Sequence, residues 1–244
     1  MKFYAWIGVL FYALATQGAH ANPDEYVHVP AVTYGEQEID FKYGTGKKPN
    51  QDRISSGSIG YGFGVTQNWL SELYVKYKRA DGEPTKFDAF EWENKFQLTE
   101  PGQYPIDTGW LIEIERPQDR SEGYETTFGP LFQTEFGKLQ VNTNFLLQHN
   151  FRTDFDSAYQ LHYQWQAKYR WLPQIELGAQ GFGDLGQWRS QTPAPDKEHR
   201  FGPAVFGKYV TGARQAIKYN AAFLFDVGGG NRGNTFRTQI EYEF

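Results

Sequence analysis

Apolar and polar residues alternate with period two in about twelve separate segments of this 244-residue chain, and no other feature restricts its fold as strongly. Ile39, Phe41 and Tyr43 alternate with Glu38, Asp40 and Lys42, and Ile59, Tyr61, Phe63 and Val65 with Ser58, Gly60, Gly62 and Gly64. Tyr159, Leu161, Tyr163, Trp165, Ala167 and Tyr169 alternate with Gln160, His162, Gln164, Gln166 and Lys168. The chain ends in the same manner, with Phe236, Thr238, Ile240, Tyr242 and Phe244 set against Arg237, Gln239, Glu241 and Glu243. Successive side chains of a strand point to opposite faces, so each segment reads as a strand with one apolar and one polar face. Most are about ten residues long, the length a tilted strand needs to cross a bilayer. Their connections alternate between long polar stretches, such as residues 44–53 and 183–198, and tight ones, such as 66–68 and 137–138. The stretch 99–106 is longer than its place in the alternation implies. Such a pattern describes an up-and-down meander whose two ends face different compartments, and an even strand count puts both termini at the short-turn end.

Period two alone does not say which face is inside. A soluble barrel of about eight strands turns its apolar face to the lumen, whereas a membrane barrel turns it to lipid and keeps a polar lumen. Three observations favour the membrane. The strands are too many for a small filled barrel, and the polar faces carry bulky Glu, Gln, Lys and Arg. Aromatic residues cluster near strand ends, as at Tyr43, Trp69, Trp92, Trp110, Tyr169, Trp171 and Tyr209, where interfacial girdles belong. A β-sandwich in the periplasm or outside the cell is the alternative. Composition agrees with a barrel. A mean hydropathy of -0.66 excludes a bundle of membrane helices, and 18% aromatic residues argue against disorder. Without cysteine there is no disulfide scaffold and no thiolate chemistry. A formal charge of -5 gives no basic footprint for nucleic acid.

The first residues read as an export signal. Lys2 precedes an apolar run over residues 3–15, and Ala19-His20-Ala21 supplies a small-x-small cleavage site. Residues 1–21 are thus expected to be removed, leaving 22–244 as a single outer-membrane barrel. Cleavage takes away one Lys and no acid, moving the formal charge from -5 to -6, and removes Met1, so the mature chain holds no sulfur.

Side chains able to do chemistry are sparse. Glu113 and Glu115 lie two apart on one strand face, as a cooperating acid and base would, but acids on a water-filled wall look the same. His28, His149, His162 and His199 show no HxH or HExxH spacing, which predicts no metal site. Gln148-His149-Asn150 is the nearest approach to a lipid-hydrolysing site, with no serine adjacent. Gly60-x-Gly62-x-Gly64 precedes no helix, so it reads as relief of crowding inside the barrel or as a site of curvature. Gly228-Gly229-Gly230-Asn231 reads as a flexible external loop. No catalytic residue, cofactor or metal is therefore assigned.

Charge on the lumen face is more informative. Glu91, Glu93, Glu113, Glu115 and Glu135 come from consecutive strands, whereas Lys168, Arg200, Lys208, Lys218 and Arg237 come from the later half. These ten residues are the expected pore lining. Closure would set the two groups roughly opposite, either as a transverse field that orients polar or zwitterionic solutes or as pairs that brace the wall. Gln140, Asn142, Asn144, Gln148, Gln160, Gln164, Gln166 and Asn220 add a neutral hydrogen-bonding surface. No segment reads as a plug.

The terminal strand, ending Ile240-Glu241-Tyr242-Glu243-Phe244, resembles the recognition signal of bacterial outer-membrane barrels. That resemblance implies that Ile240, Tyr242 and Phe244 engage the barrel-insertion machinery. Residues 60–78, reading Gly-Tyr-Gly-Phe-Gly-Val-Thr-Gln-Asn-Trp-Leu-Ser-Glu-Leu-Tyr-Val-Lys-Tyr-Lys, resemble the strand-turn-strand unit of the porin-like family named for the MetA pathway of phenol degradation. Residues 129–138 and the terminal strand are compatible with it. The family implies a transport-associated outer-membrane barrel and supplies no catalytic residue. The expectation is a barrel of about twelve strands, embedded in outer-membrane lipid, that passes small polar solutes. The alternatives are a lipid-modifying enzyme using His149, and a structural or adhesive barrel that binds through its external loops.

Overall fold

The structure is a computed structural model and describes residues 22–49, 51–154, 157–189, 197–227 and 233–244. The expected export signal and the Gly228–Asn231 loop lie outside the described residues. Twelve strands follow one another: β1 (Gln37–Lys47), β2 (Ile54–Thr66), β3 (Trp69–Ala80), β4 (Lys86–Gln97), β5 (Asp107–Pro117), β6 (Tyr124–Phe136), β7 (Leu139–Phe151), β8 (Gln160–Leu172), β9 (Ile175–Gln187), β10 (Glu198–Val210), β11 (Ala216–Val227) and β12 (Asn234–Glu243). Each pairs antiparallel with its sequence neighbours, and β12 returns to β1, closing the barrel. The closing register runs from Glu38 opposite Glu243 to Lys47 opposite Asn234. Gln37 and the terminal Phe244 exchange backbone bonds of 3.2 and 2.8 Å beyond it, so the last residue of the chain completes the seam.

Strands are longer than the alternating segments, because the pattern fades where their ends leave the apolar band while the backbone ladder continues. Turns at one end span residues 67–68, 137–138, 173–174 and 211–215, and the exception at 98–106 is held by Leu98 N–H donating to Thr108 at 2.9 Å. Connections at the other end are longer. In the β5–β6 loop, Asp119 caps a short 3-10 turn by accepting from the Ser121 N–H at 2.9 Å and hydroxyl at 2.7 Å. These two donors hold the Asp119 carboxyl below the ordinary aspartate range.

The faces divide as the alternation predicts. Ile59 is 54% exposed on the outer surface, while its neighbour Ser58 is 4% exposed on the inner one. Leu73, Phe90, Trp92, Phe145, Phe201, Phe225 and Ile240 continue the outer apolar surface around the barrel. A surface of this size and continuity is stable in lipid and not in water.

Phe41, Ile59 and Val75 are cross-strand neighbours within this band. Replacing Ile59 with Arg should therefore cost about 2–4 kcal/mol of folding free energy in bilayers. Urea titration in phospholipid vesicles measures the loss.

Candidate functional site

The lumen is not empty. Residues 22–36 enter at the long-loop end and run through the barrel interior to the start of β1 at the short-turn end. Near the entry, the Asn22 carbonyl accepts from Arg200 at 2.8 Å and Glu25 pairs with Arg200 at 2.7 Å. On the far wall, Asp24 and the Ser56 hydroxyl are joined by bonds of 3.2 and 2.5 Å. Deeper, the Tyr26 hydroxyl donates to Glu93, the His28 carbonyl accepts from Asn144 at 3.0 Å, and Val32 N–H donates to Gln97 at 2.8 Å. At the exit, Gly35 N–H donates to Gly64 and Gly64 N–H to Glu36, both at 2.9 Å. The expectation of a lumen without a plug is thereby corrected. A segment touching walls on all sides has no single apolar face, so it shows no periodicity to betray it. Pro30 is fully buried within it and, lacking an N–H, leaves no donor unsatisfied there.

Room for the segment comes from small residues. A Cβ on Gly64 or Gly44 would fall on the backbone of Thr33 or Pro23. At Gly62 it would lie 2.7 Å from Glu38 and 2.9 Å from Glu72, and at Gly60 it would meet the Tyr74 ring. The glycine row of β2 thus makes space for inward side chains and for the segment itself.

The wall is less uniformly polar than alternation suggested. Phe182, Ala204, Phe206, Ala222 and Leu224 point inward from β9, β10 and β11 and enclose Val27 of the segment. Leu111, Leu131 and Leu146 form a second inward cluster on β5, β6 and β7. Between these lies a chain of amides. Gln133, Gln140 and Asn142 bond one another at 2.8–3.0 Å, Gln166 reaches Asn142 and Gln180 reaches Gln166 at 3.1 Å, and Arg237 donates to Gln180 at 2.6 Å. The amides of this row are hydrogen-bonded to one another, which fixes their side chains in place, while Arg237 keeps Nε and Nη2 buried with no hydrogen-bond partner among the described residues.

All ten residues expected to line a pore lie at inward-facing strand positions, but most are held by nearby groups rather than set against one another across open space. Lys76 bridges Glu91 at 2.9 Å and Glu115 at 2.5 Å. Glu93 and Glu113 flank His28, at 3.3 Å from Nδ1 and 3.4 Å from Nε2. Glu135 holds Arg170, Lys168 holds Glu176 at 3.1 Å, and Lys208 holds Glu243 at 2.9 Å. Lys218 contacts both Glu241 and Glu243. Arg237 is fully buried beside Gln180 and over the Phe182 ring. Glu113 and Glu115, the candidate acid–base pair, are thus engaged by different partners.

His149 sits on the outer face toward the long-loop rim, its ring stacked on Tyr159 at 4.2 Å and edge-on to Phe151. Its Nδ1 is buried without a hydrogen-bond partner, so nothing among the described residues orients it as a base. His28 was unremarkable by spacing, yet the fold brings it beside two glutamates from β4 and β5. Glu36, Glu38 and Glu241 form a second close group at the short-turn end. Neither group is complete in local spacing, because His28, Glu93 and Glu113 come from three parts of the chain and Glu241 joins Glu36 and Glu38 only at the closing seam.

Val27 anchors the segment through apolar burial worth about 1.5–3 kcal/mol. Val27→Asp places a carboxylate among Phe182, Phe206 and Leu224, and should raise amide exchange of residues 24–32 at least about tenfold while leaving the strands unchanged. Hydrogen–deuterium exchange with mass spectrometry reads both.

No protein-family model and no curated protein sequence matches the chain. Solved structures do. The COG4313 outer membrane channel from Pseudomonas putida F1 is 13% identical, with a TM-score of 0.57 over 92% of this chain and 99% of that one. The NanC porin is 9% identical, with a TM-score of 0.55 over 83% and 98%. The KdgM porin in complex with disordered oligogalacturonate is 10% identical, with a TM-score of 0.53 over 85% and 99%. At these identities the likeness establishes the fold, a closed twelve-stranded antiparallel barrel of the outer-membrane kind.

Proposed function

We propose that this chain is an outer-membrane channel for small polar solutes, exported by its first 21 residues, with its own N-terminal segment standing in the path. The observation that carries this reading is the inner surface. Ion pairs and a connected row of amides, all facing a lumen enclosed by an apolar exterior, make a wall suited to hydroxyl-rich or zwitterionic molecules. The ten inward charges at Glu91, Glu93, Glu113, Glu115, Glu135, Lys168, Arg200, Lys208, Lys218 and Arg237 form the polar lining of that path. The porins and the channel that share the fold support the reading, as does the resemblance of residues 60–78 to the MetA-pathway family. Ile240, Tyr242 and Phe244 then serve as the signal for barrel insertion, consistent with their place in the closing strand.

The segment is fastened by hydrogen bonds and ion pairs along most of its length, and by one apolar anchor. Contacts of the first kind exchange readily for water or for a polar solute, so the same groups that hold the segment can receive a solute when it shifts. One observation favours a second reading, that of a closed structural barrel binding through its long loops: most lumen charges are already paired, and the segment lies among them.

Conductance in planar bilayers separates the two. Mature protein should conduct weakly, and a variant lacking residues 22–32 several-fold more. Absence of current at any voltage from that variant, once heat-modifiable electrophoretic mobility shows it folded, would exclude the channel.

A further inference from the structure

We propose that His28, Glu93 and Glu113 form a binding site for a borderline divalent transition metal such as Zn(II), shared between the lumen segment and the barrel wall. The argument begins with register. Glu93 on β4 and Glu113 on β5 are directly opposite one another, as are Glu91 and Glu115 on the next inward rung. Like charges facing across a strand pair repel, so each rung calls for a cation. At the Glu91–Glu115 rung the Lys76 ammonium supplies it, reaching both carboxylates. Among the described residues no ammonium contacts both carboxylates of the Glu93–Glu113 rung; the imidazole of His28 occupies the corresponding place.

His28 Nδ1 and Glu93 Oε1 face each other at 3.3 Å, both are buried, and neither has a hydrogen-bond partner. His28 is 3% exposed and Glu93 fully buried, so water does not relieve either atom. Tetrahedral zinc with bonds of about 2.0–2.1 Å holds its ligand atoms about 3.3–3.4 Å apart, and His28 Nδ1 and Glu93 Oε1 stand at 3.3 Å, whereas Glu113 stands at 3.4 Å from the other ring nitrogen, Nε2. One ring nitrogen and one oxygen from each glutamate lie within 4.8 Å of one another, so Glu113 has to swing its carboxylate toward the nitrogen that Glu93 faces for a single ion to take all three. An ion seated between lone pairs needs no preformed cavity, whereas an organic ligand would.

Supporting contacts are present as well. The Tyr26 hydroxyl donates to the other oxygen of Glu93, and Asn144 donates to the His28 carbonyl at 3.0 Å, so both a ligand side chain and a ligand backbone are fixed from outside. Two carboxylates and an imidazole make a nitrogen–oxygen set suited to zinc and neighbouring metals rather than to calcium, which prefers oxygen alone. Because His28 belongs to the segment and the glutamates to the wall, a bound metal would pin the segment in the lumen. The site itself does not depend on the channel reading.

The test uses untagged, folded protein freed of metal by a chelator and titrated with Zn(II) by calorimetry, with Co(II) as an optical probe of geometry. One equivalent should bind, with the intense visible absorption of tetrahedral Co(II). Affinity should fall at least tenfold in His28→Ala, Glu93→Gln and Glu113→Gln, and stay unchanged in His199→Ala. Zinc should also slow amide exchange of residues 24–32 in the parent protein and not in His28→Ala. Glu113→Gln preserves shape and guards against a misfolded His28 or Glu93 variant. Absence of saturable binding, or binding that survives all three substitutions, would overturn the site whatever the conductance of the protein.

Discussion

A hydrocarbon layer offers no hydrogen-bond partner, so a sheet that crosses it cannot keep an open edge, and everything else in this molecule follows from the seam between β1 and β12. Closure makes the first strand and the last neighbours, and it carries pairing to the final residue, where Phe244 exchanges backbone bonds with Gln37. It also fixes an inside. Once twelve strands are closed, every second residue belongs to a confined space whose contents must satisfy one another or admit water. The low apolar fraction of the chain, 39%, is the signature of that division, since the apolar residues are concentrated on one outward surface.

Confinement explains why the interior is more than a polar wall. Side chains from neighbouring strands approach closely enough for charges to pair, and residues 22–36 run through the interior they enclose. The segment is matched to the wall group by group: Glu25 to Arg200, Val27 to the apolar ring around Phe182, His28 to Glu93 and Glu113. Glycines of β1 and β2 face it where backbone meets backbone. Such matching along its whole length distinguishes a built-in element from a strand of chain that happens to lie in a hole.

The barrel was legible because lipid imposes a rule on every strand, and a rule repeated twelve times is visible in one sequence. Ile39, Phe41 and Tyr43 announce an outward face irrespective of what stands inside, and the two-residue turn at 137–138 follows from where that alternation breaks. The lumen segment was not legible, because Tyr26, Val27 and His28 each answer to a different wall and so share no period. Nor were the inward apolar residues. Phe182 and Phe206 lie in a stretch where outward and inward faces are both apolar, and period two carries no signal there. His28 could be connected with Glu93 and Glu113 only through the fold, since the three come from the segment, β4 and β5. A hint lay in length: residues 22–36 separate the expected cleavage site from the first strand, more than a terminus at the short-turn end requires.

The two glutamate rungs of β4 and β5 show how wall and segment depend on each other. Glu91 and Glu115 are neutralised from within the sheet by Lys76, and that rung is complete without the segment. Glu93 and Glu113 meet the same electrostatic problem one rung further, where the compensating group is His28. Arg200 likewise meets Glu25. If the segment withdrew, Glu93 and Glu113 would lose the imidazole between them and Arg200 would lose Glu25, at a level where Glu93 is shut off from solvent. Withdrawal is therefore coupled to the entry of something that can replace it, whether water, counter-ions or a polar solute carrying complementary groups. The wall charges and the segment thus stabilise one another, and neither arrangement is complete alone.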